Sequence, residues 1–247
     1  MNTAILIGFQ YESEQYIHGI ANDIEKMYEY CKLKFKTTVV TNISSLFFHS
    51  IPETNICFIF DSDSMKQKLS LLFDSKSHFF IYYTGHGTKN GIELPSNETV
   101  SLTKLLNSIS YIPHRQTFLL LDCCFSGGLK LPFRLQNKVD SDFLGTLRNE
   151  ILVLSATHHH QRSQSSKSGS FFTSTMLNQI NKITSDSLQS FVDSVNFKLH
   201  GRCTEQKMMV MSNLPLPKKI WSWIYDSSFS LHLNKFAGYV LLKRNFI

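Results

Sequence analysis

The sequence predicts an α/β domain, a doubly wound and mainly parallel six-stranded sheet with helices on both faces. Short apolar runs of strand-forming residues alternate along it with segments whose apolar residues recur at helical spacing, the pattern of strands joined by crossover helices. The chain has 247 residues, 42% of them hydrophobic, enough to fill one large core.

The strands are expected at 4–9, 37–41, 78–84, 117–122, 151–155 and 208–212, each a short run of apolar and β-branched residues. A further run, 56–60, reads as an extra strand or hairpin arm with no evident place in the sheet. Ile20, Ile24, Met27, Tyr28 and Cys31 fall on one helical face, and Met65, Leu69, Leu72 and Phe73 on another. Leu102, Leu105, Leu106 and Ile109 make a third stripe. Phe172, Thr175, Met176 and Gln179 form a weaker fourth, and Leu188, Phe191, Val192, Val195 and Leu199 a fifth behind the capping candidates Thr184 and Ser185. The Ser-rich stretch 163–170 reads as a mobile loop. Residues 1–217 are expected to form the domain, and the aromatic segment 218–247 an extension packed on it rather than a membrane anchor.

Composition narrows the function. The net charge of +6 is scattered, without aromatic–basic alternation, and reads as surface charge rather than a nucleic-acid footprint. Apolar runs of membrane-spanning length are absent, and Met1 to Gly8 carries no basic leader. Five cysteines, odd in number and without framework spacing, predict a reducing, cytoplasmic setting. Cys31, Cys57 and Cys123 read as core, and Cys203 as a free thiol in a polar loop. A nucleotide-binding reading fails after the first strand, where Gly8-Phe9-Gln10-Tyr11 is no phosphate loop.

Open parallel sheets bind ligands beyond the carboxyl ends of their strands. The third strand ends in Thr84-Gly85-His86-Gly87 and the fourth in Asp122-Cys123-Cys124-Phe125-Ser126-Gly127-Gly128. If the two strands are neighbours, an imidazole and a thiol face each other, the parts of an activated nucleophile. The adjacent glycines can turn backbone N–H groups toward an oxyanion. His158-His159-His160 follows the fifth strand but has no Cys, Asp or Glu at ligand spacing, so a loop rim is expected there and no metal site.

Tyr-Thr-Gly-His-Gly followed by Asp-Cys-Cys-Phe-Ser-Gly-Gly resembles the His and Cys boxes of the metacaspases, caspase-like cysteine peptidases of family C14. Ala4–Gly8, Gly19-Ile20-Ala21-Asn22-Asp23, Gly169-Ser170-Phe171-Phe172-Thr173 and Glu205-Gln206-Lys207-Met208 extend the likeness over about residues 4–214. The resemblance implies a caspase-like fold, with a large-subunit-like part (1–128), a linker (129–149) and a small-subunit-like part (150–217). It implies Cys124, not Cys123, as nucleophile, His86 as its partner, and the N–H groups of Gly87 and Cys124 as the oxyanion hole. Asp23 and Asp122 would form a pocket for an Arg or Lys before the cut, with Thr84 where the family has Ser and Ile20 where it often has Cys. It calls for no cofactor, and the expected partners are protein or peptide substrates of a monomer, with neither nucleic acid nor membrane. Self-cleavage, where it occurs, would fall in 128–149, among Lys130, Arg134, Lys138 and Arg148. The family's common type binds activating calcium through aspartates, whereas here 88–109 holds only Glu93 and Glu98 as carboxylates and the first Asp after the Cys box is Asp140. Calcium independence follows as an expectation. A catalytically silent caspase-like binding module is the remaining alternative.

Overall fold

Apolar runs pair as parallel strands wherever both of their faces are covered, and such strands lose the polar alternation of a half-exposed sheet. The computed structural model describes residues 3–12, 16–59, 61–72, 78–110, 116–129, 131, 133–135, 150–180, 187–213 and 216. In chain order the elements are β1 (Thr3–Gly8), α1 (Ile20–Cys31), β2 (Lys36–Thr41), β3 (Ile56–Phe58), α2 (Ser62–Leu72) and β4 (Phe79–Thr84). The short strands β5 (Gly87–Thr88), β6 (Gly91–Glu93) and β7 (Thr99–Val100) follow, then α3 (Leu102–Ser110) and β8 (Gln116–Asp122). The second half holds β9 (Phe133–Arg134), β10 (Glu150–Ser155), β11 (Ser165–Ser166), β12 (Gly169–Ser170), α4 (Phe171–Ile180), α5 (Leu188–His200) and β13 (Met209–Ser212).

The main sheet runs β3-β2-β1-β4-β8-β10-β13-β9, with β13 and β9 antiparallel to their neighbours and the other pairings parallel. It therefore has eight strands where six were expected. The added strands are three and two residues long at the two edges; the first belongs to the run already read as an extra strand, and the second is too short to leave a periodic signal. The run at 56–60 is thus an edge strand parallel to β2, and β9 arises inside the expected linker. Every residue of β1, β4, β8 and β10 is buried.

From β1 the chain steps one way to β2 and then back across to β4 and β8. Right-handed crossovers place α1 on one face and α2 and α3 on the other, and the order reverses between β1 and β4. Such a reversal opens a crevice at the carboxyl ends of the strands. The apolar stripes of α1 and α5 are buried, as are Met65, Leu69, Leu102, Leu105, Leu106, Phe172 and Met176. A fully buried side chain of this size contributes about 1.5–3 kcal/mol.

Four local expectations are corrected. Ser187, rather than Thr184 or Ser185, caps α5, its hydroxyl accepting from the Ser190 N–H at 3.1 Å. The Ser-rich stretch is a hairpin, β11–β12, docked on the start of α1: Asn22 donates to the Lys167 carbonyl at 3.0 Å and Lys26 to that of Ser168 at 2.5 Å. Cys203 is the free thiol expected in the loop after α5, but it is buried there, its N–H bonded to the Leu199 carbonyl. Cys57 is half-buried, because β3 is an edge. Phe73, Phe60 and the segment 218–247 lie outside the described residues.

Candidate active site

β4 and β8 are neighbours in register, with Thr84 opposite Asp122, so both chemical boxes leave the sheet side by side. A cavity of about 140 Å³ opens there, lined by Asp23, Thr84, His86, Asp122, Cys124 and Ser163 among others. Cys124 thus shares a cavity with His86, while Cys123 is turned inward and buried at 2% exposure.

The backbone of the two boxes is locked together. A Cβ at Gly87 would overlap the Cys124 carbonyl oxygen and lie 2.8 Å from the Cys123 sulfur, so the close approach of the boxes requires glycine. Phe125, directly after Cys124, has φ of 58°, a strained left-handed conformation for a bulky residue. That turn is held from below: Thr157 accepts from the Ser126 N–H at 3.1 Å and donates to the Cys123 carbonyl at 3.2 Å.

His86 is held through its main chain. Its N–H donates to the Tyr11 hydroxyl at 3.1 Å, and its carbonyl accepts from the Tyr83 hydroxyl at 2.7 Å. The Cys124 thiol points to the Ser163 carbonyl, with sulfur and oxygen 3.9 Å apart. Burial raises the pKa of that thiol, and the Ser163 backbone and the Arg162 charge oppose the shift.

The acidic side of the cavity draws on three separate parts of the chain. Asp122 is 3% exposed and accepts from the Ser163 hydroxyl at 2.9 Å and the Thr173 hydroxyl at 2.6 Å. Thr173 in turn sits 2.7 Å from the Tyr82 hydroxyl, which must donate because Thr173 spends its proton on Asp122. Asp23 is 2% exposed, and the Ser170 N–H reaches both of its oxygens at 2.8 and 3.0 Å. Gly169, at φ of 112°, lets the hairpin come this close, since a Cβ there would strike the Asp23 carboxylate. Burial pushes both carboxyls above their ordinary range, and for Asp23 the like charge of Asp122 adds to it.

Ile20 does not reach the cavity; it is buried under β1, where it and Ile24 crowd Gly8. Gly87 abuts the Cys124 carbonyl and is not among the residues that line the cavity. His158 bridges Gly127 and borders a different cavity, of about 260 Å³, with Lys207 and Met209, while His159 and His160 are exposed. Among the described residues no three His, Cys, Asp or Glu side chains gather as a metal site. Tyr11, Ser163, Ser170 and Thr173 had no individual signal in the sequence. The serines had a collective one, a hydroxyl-rich stretch following a strand that ends at the site.

The sequence matches the caspase-domain family, Peptidase C14, over residues 1–221. No curated protein matches it. Among solved structures it is similar in fold to a protein of Geobacter sulfurreducens, at 15% identity and TM-score 0.58, over 87% of this chain and 95% of that one. It is likewise similar to caspase-1 from Spodoptera frugiperda, at 14% identity and TM-score 0.54, over 85% of each chain. With the family match running through the whole sheet and both boxes, the chain belongs to the caspase-domain family of cysteine peptidases.

Proposed function

We propose that this chain is a calcium-independent cysteine endopeptidase of the metacaspase type, cutting peptide bonds after Arg or Lys. The observation that carries the proposal is the cavity in which Cys124 and His86 stand beside two buried carboxylates, Asp23 and Asp122. The Cys124 sulfur attacks the scissile carbonyl, and His86 gives a proton to the leaving amine. The resulting acyl-enzyme is released by water. In this reading the Cys124 backbone N–H serves the oxyanion, with the Gly87 N–H, just outside the lining against the Cys124 carbonyl, as second donor.

The acids select the residue before the cut. Two carboxylates in one dry pocket repel each other, and a guanidinium or ammonium relieves both the repulsion and the lost hydration. Asp122 and Asp23 already accept bonds from hydroxyl and N–H donors, yet a carboxylate has about four acceptor positions, leaving room for a forked guanidinium. A panel of fluorogenic peptides differing at the residue before the cut tests this. Arg and Lys peptides should be cut and Asp peptides spared; a preference for Asp would place the specificity pocket elsewhere.

Calcium should be dispensable. The ion takes six to eight oxygens, several from carboxylates, and 88–109 offers only Glu93 and Glu98. Activity is expected to be unchanged in excess chelator, and complete loss that calcium restores would refute the expectation.

The enzyme is proposed to act as a monomer. β9 pairs with β13 and covers the edge that would otherwise be open for pairing with a second copy. Light scattering should give one chain mass, 28.4 kDa, and a stable mass of twice that would overturn the assignment. The proposal extends to a reducing, cytoplasmic location, on the odd number and the spacing of the five cysteines.

A further inference from the structure

A general acid must be held in place as well as present, since small misplacements cost large factors in rate. His86 sits on a loop of strand-tip residues flanked by glycines, an arrangement with little stiffness of its own. Its main chain is nevertheless gripped on both sides by phenols. Each phenol has one proton, and the shortest contacts assign them. Tyr83 donates to the His86 carbonyl at 2.7 Å, and Tyr11 donates to the Glu93 carbonyl at 2.7 Å. That leaves the Tyr11 oxygen free to accept from the His86 N–H at 3.1 Å. The Glu93 N–H closes the ring on the His86 carbonyl, also at 3.1 Å. The Tyr11 ring also packs edge-on against the imidazole, with centroids 4.4 Å apart.

We propose that Tyr11 is a positioning residue for His86, acting with Tyr83 to clamp the peptide from which the imidazole projects. The clamp joins the segment after β1 to the end of β4 and to β6, so the His loop is tied to two places on the main sheet and to the small β5-β6-β7 sheet. Burial keeps the Tyr11 phenol far above its ordinary pKa, so it stays a neutral donor at any working pH. Tyr83 is fully buried and behaves alike. Tyr82, its neighbour in the strand, points to the opposite face and supports Asp122 through Thr173. Two adjacent tyrosines of one strand therefore serve the two halves of the site separately.

This inference rests on the peptidase reading for its kinetic consequence, but the clamp itself can be read without turnover. Tyr11→Phe keeps the ring and removes the hydroxyl. With active enzyme counted by titration, kcat on an Arg peptide should fall on the order of 10²-fold while KM changes less than about threefold. Tyr28→Phe, which removes another buried phenol accepting from Asn55 at 2.9 Å, should leave kcat unchanged. Equal kcat in wild type and Tyr11→Phe, or the same loss in Tyr28→Phe, overturns the proposal. Amide exchange of His86 in the wild-type protein gives the second arm, and it does not depend on a variant folding. Protection on the order of 10²-fold or more is expected, and exchange at the rate of an exposed amide overturns the clamp. Failure of the wild type to cut any peptide, with His86 protected, would instead count against the peptidase reading alone.

Discussion

Cys124→Ala is expected to lower turnover of Arg peptides by on the order of 10⁴–10⁶-fold, and His86→Ala by a comparable factor, since nucleophile and proton donor act as a unit. Cys123→Ala should stay within about tenfold of wild type. The two cysteines are adjacent in sequence but differ in setting: Cys124 is half-buried and lines the cavity, whereas Cys123 is buried against Gly87. Removing the Cys123 sulfur should cost mainly stability, about 1 kcal/mol for a small buried group. Kinetics on the three purified variants, with thermal unfolding alongside, separates the roles. A dead Cys123→Ala beside an active Cys124→Ala would reverse the assignment.

Asp122→Asn is expected to cut kcat/KM for Arg peptides on the order of 10²-fold, because losing one member of a buried charge pair costs about 2–5 kcal/mol. Asp23→Asn should lower activity in the same direction while raising stability above neutral pH. The folded pKa of Asp23 lies well above its ordinary value, through burial first and the Asp122 charge second. An acid shifted this way contributes stability that is full below its unfolded pKa and lost as pH rises through the folded one. Above its unfolded pKa the buried Asp23 carboxyl is therefore a burden that an amide lacks. Asp23→Asn should melt higher than wild type at pH 8, with the gap closing toward pH 4, while its Arg activity falls. Melting curves across pH and the peptide panel measure the two effects. A variant that melts lower at pH 8, or cuts Arg peptides as well as wild type, would remove Asp23 from the pocket.

Of the basic residues where self-cleavage was expected, Lys130, Lys138 and Arg148 lie outside the described residues. The remaining expectations divide by the range of the interactions behind them. Strands β1, β4, β8 and β10 were legible because full burial leaves continuous apolar runs. The helices α1 and α5 were legible because one buried face leaves a repeating stripe. The run that holds β3 was legible as a strand but its place was not, and β9 left no mark at all: where an edge strand of two or three residues pairs is decided by its neighbour, not by its own pattern.

His86 and Cys124 could be read from sequence because each sits in a local box at a strand tip, and local boxes survive as consecutive residues. Asp23 and Asp122 were likewise nameable, but their shared burial and the donors around them were not. The sequence by itself determined the sheet's central strands and the two boxes at neighbouring strand tips. Tertiary structure alone decided that a serine-rich hairpin docks on Asp23, that Ile20 falls beneath β1 instead of into the cavity, and that Tyr11 reaches His86. The reason is distance along the chain. Ser170 binds a residue 147 positions away and Tyr11 one 75 positions away, and contacts of that kind carry no periodicity and no spacing, only the geometry of the folded sheet.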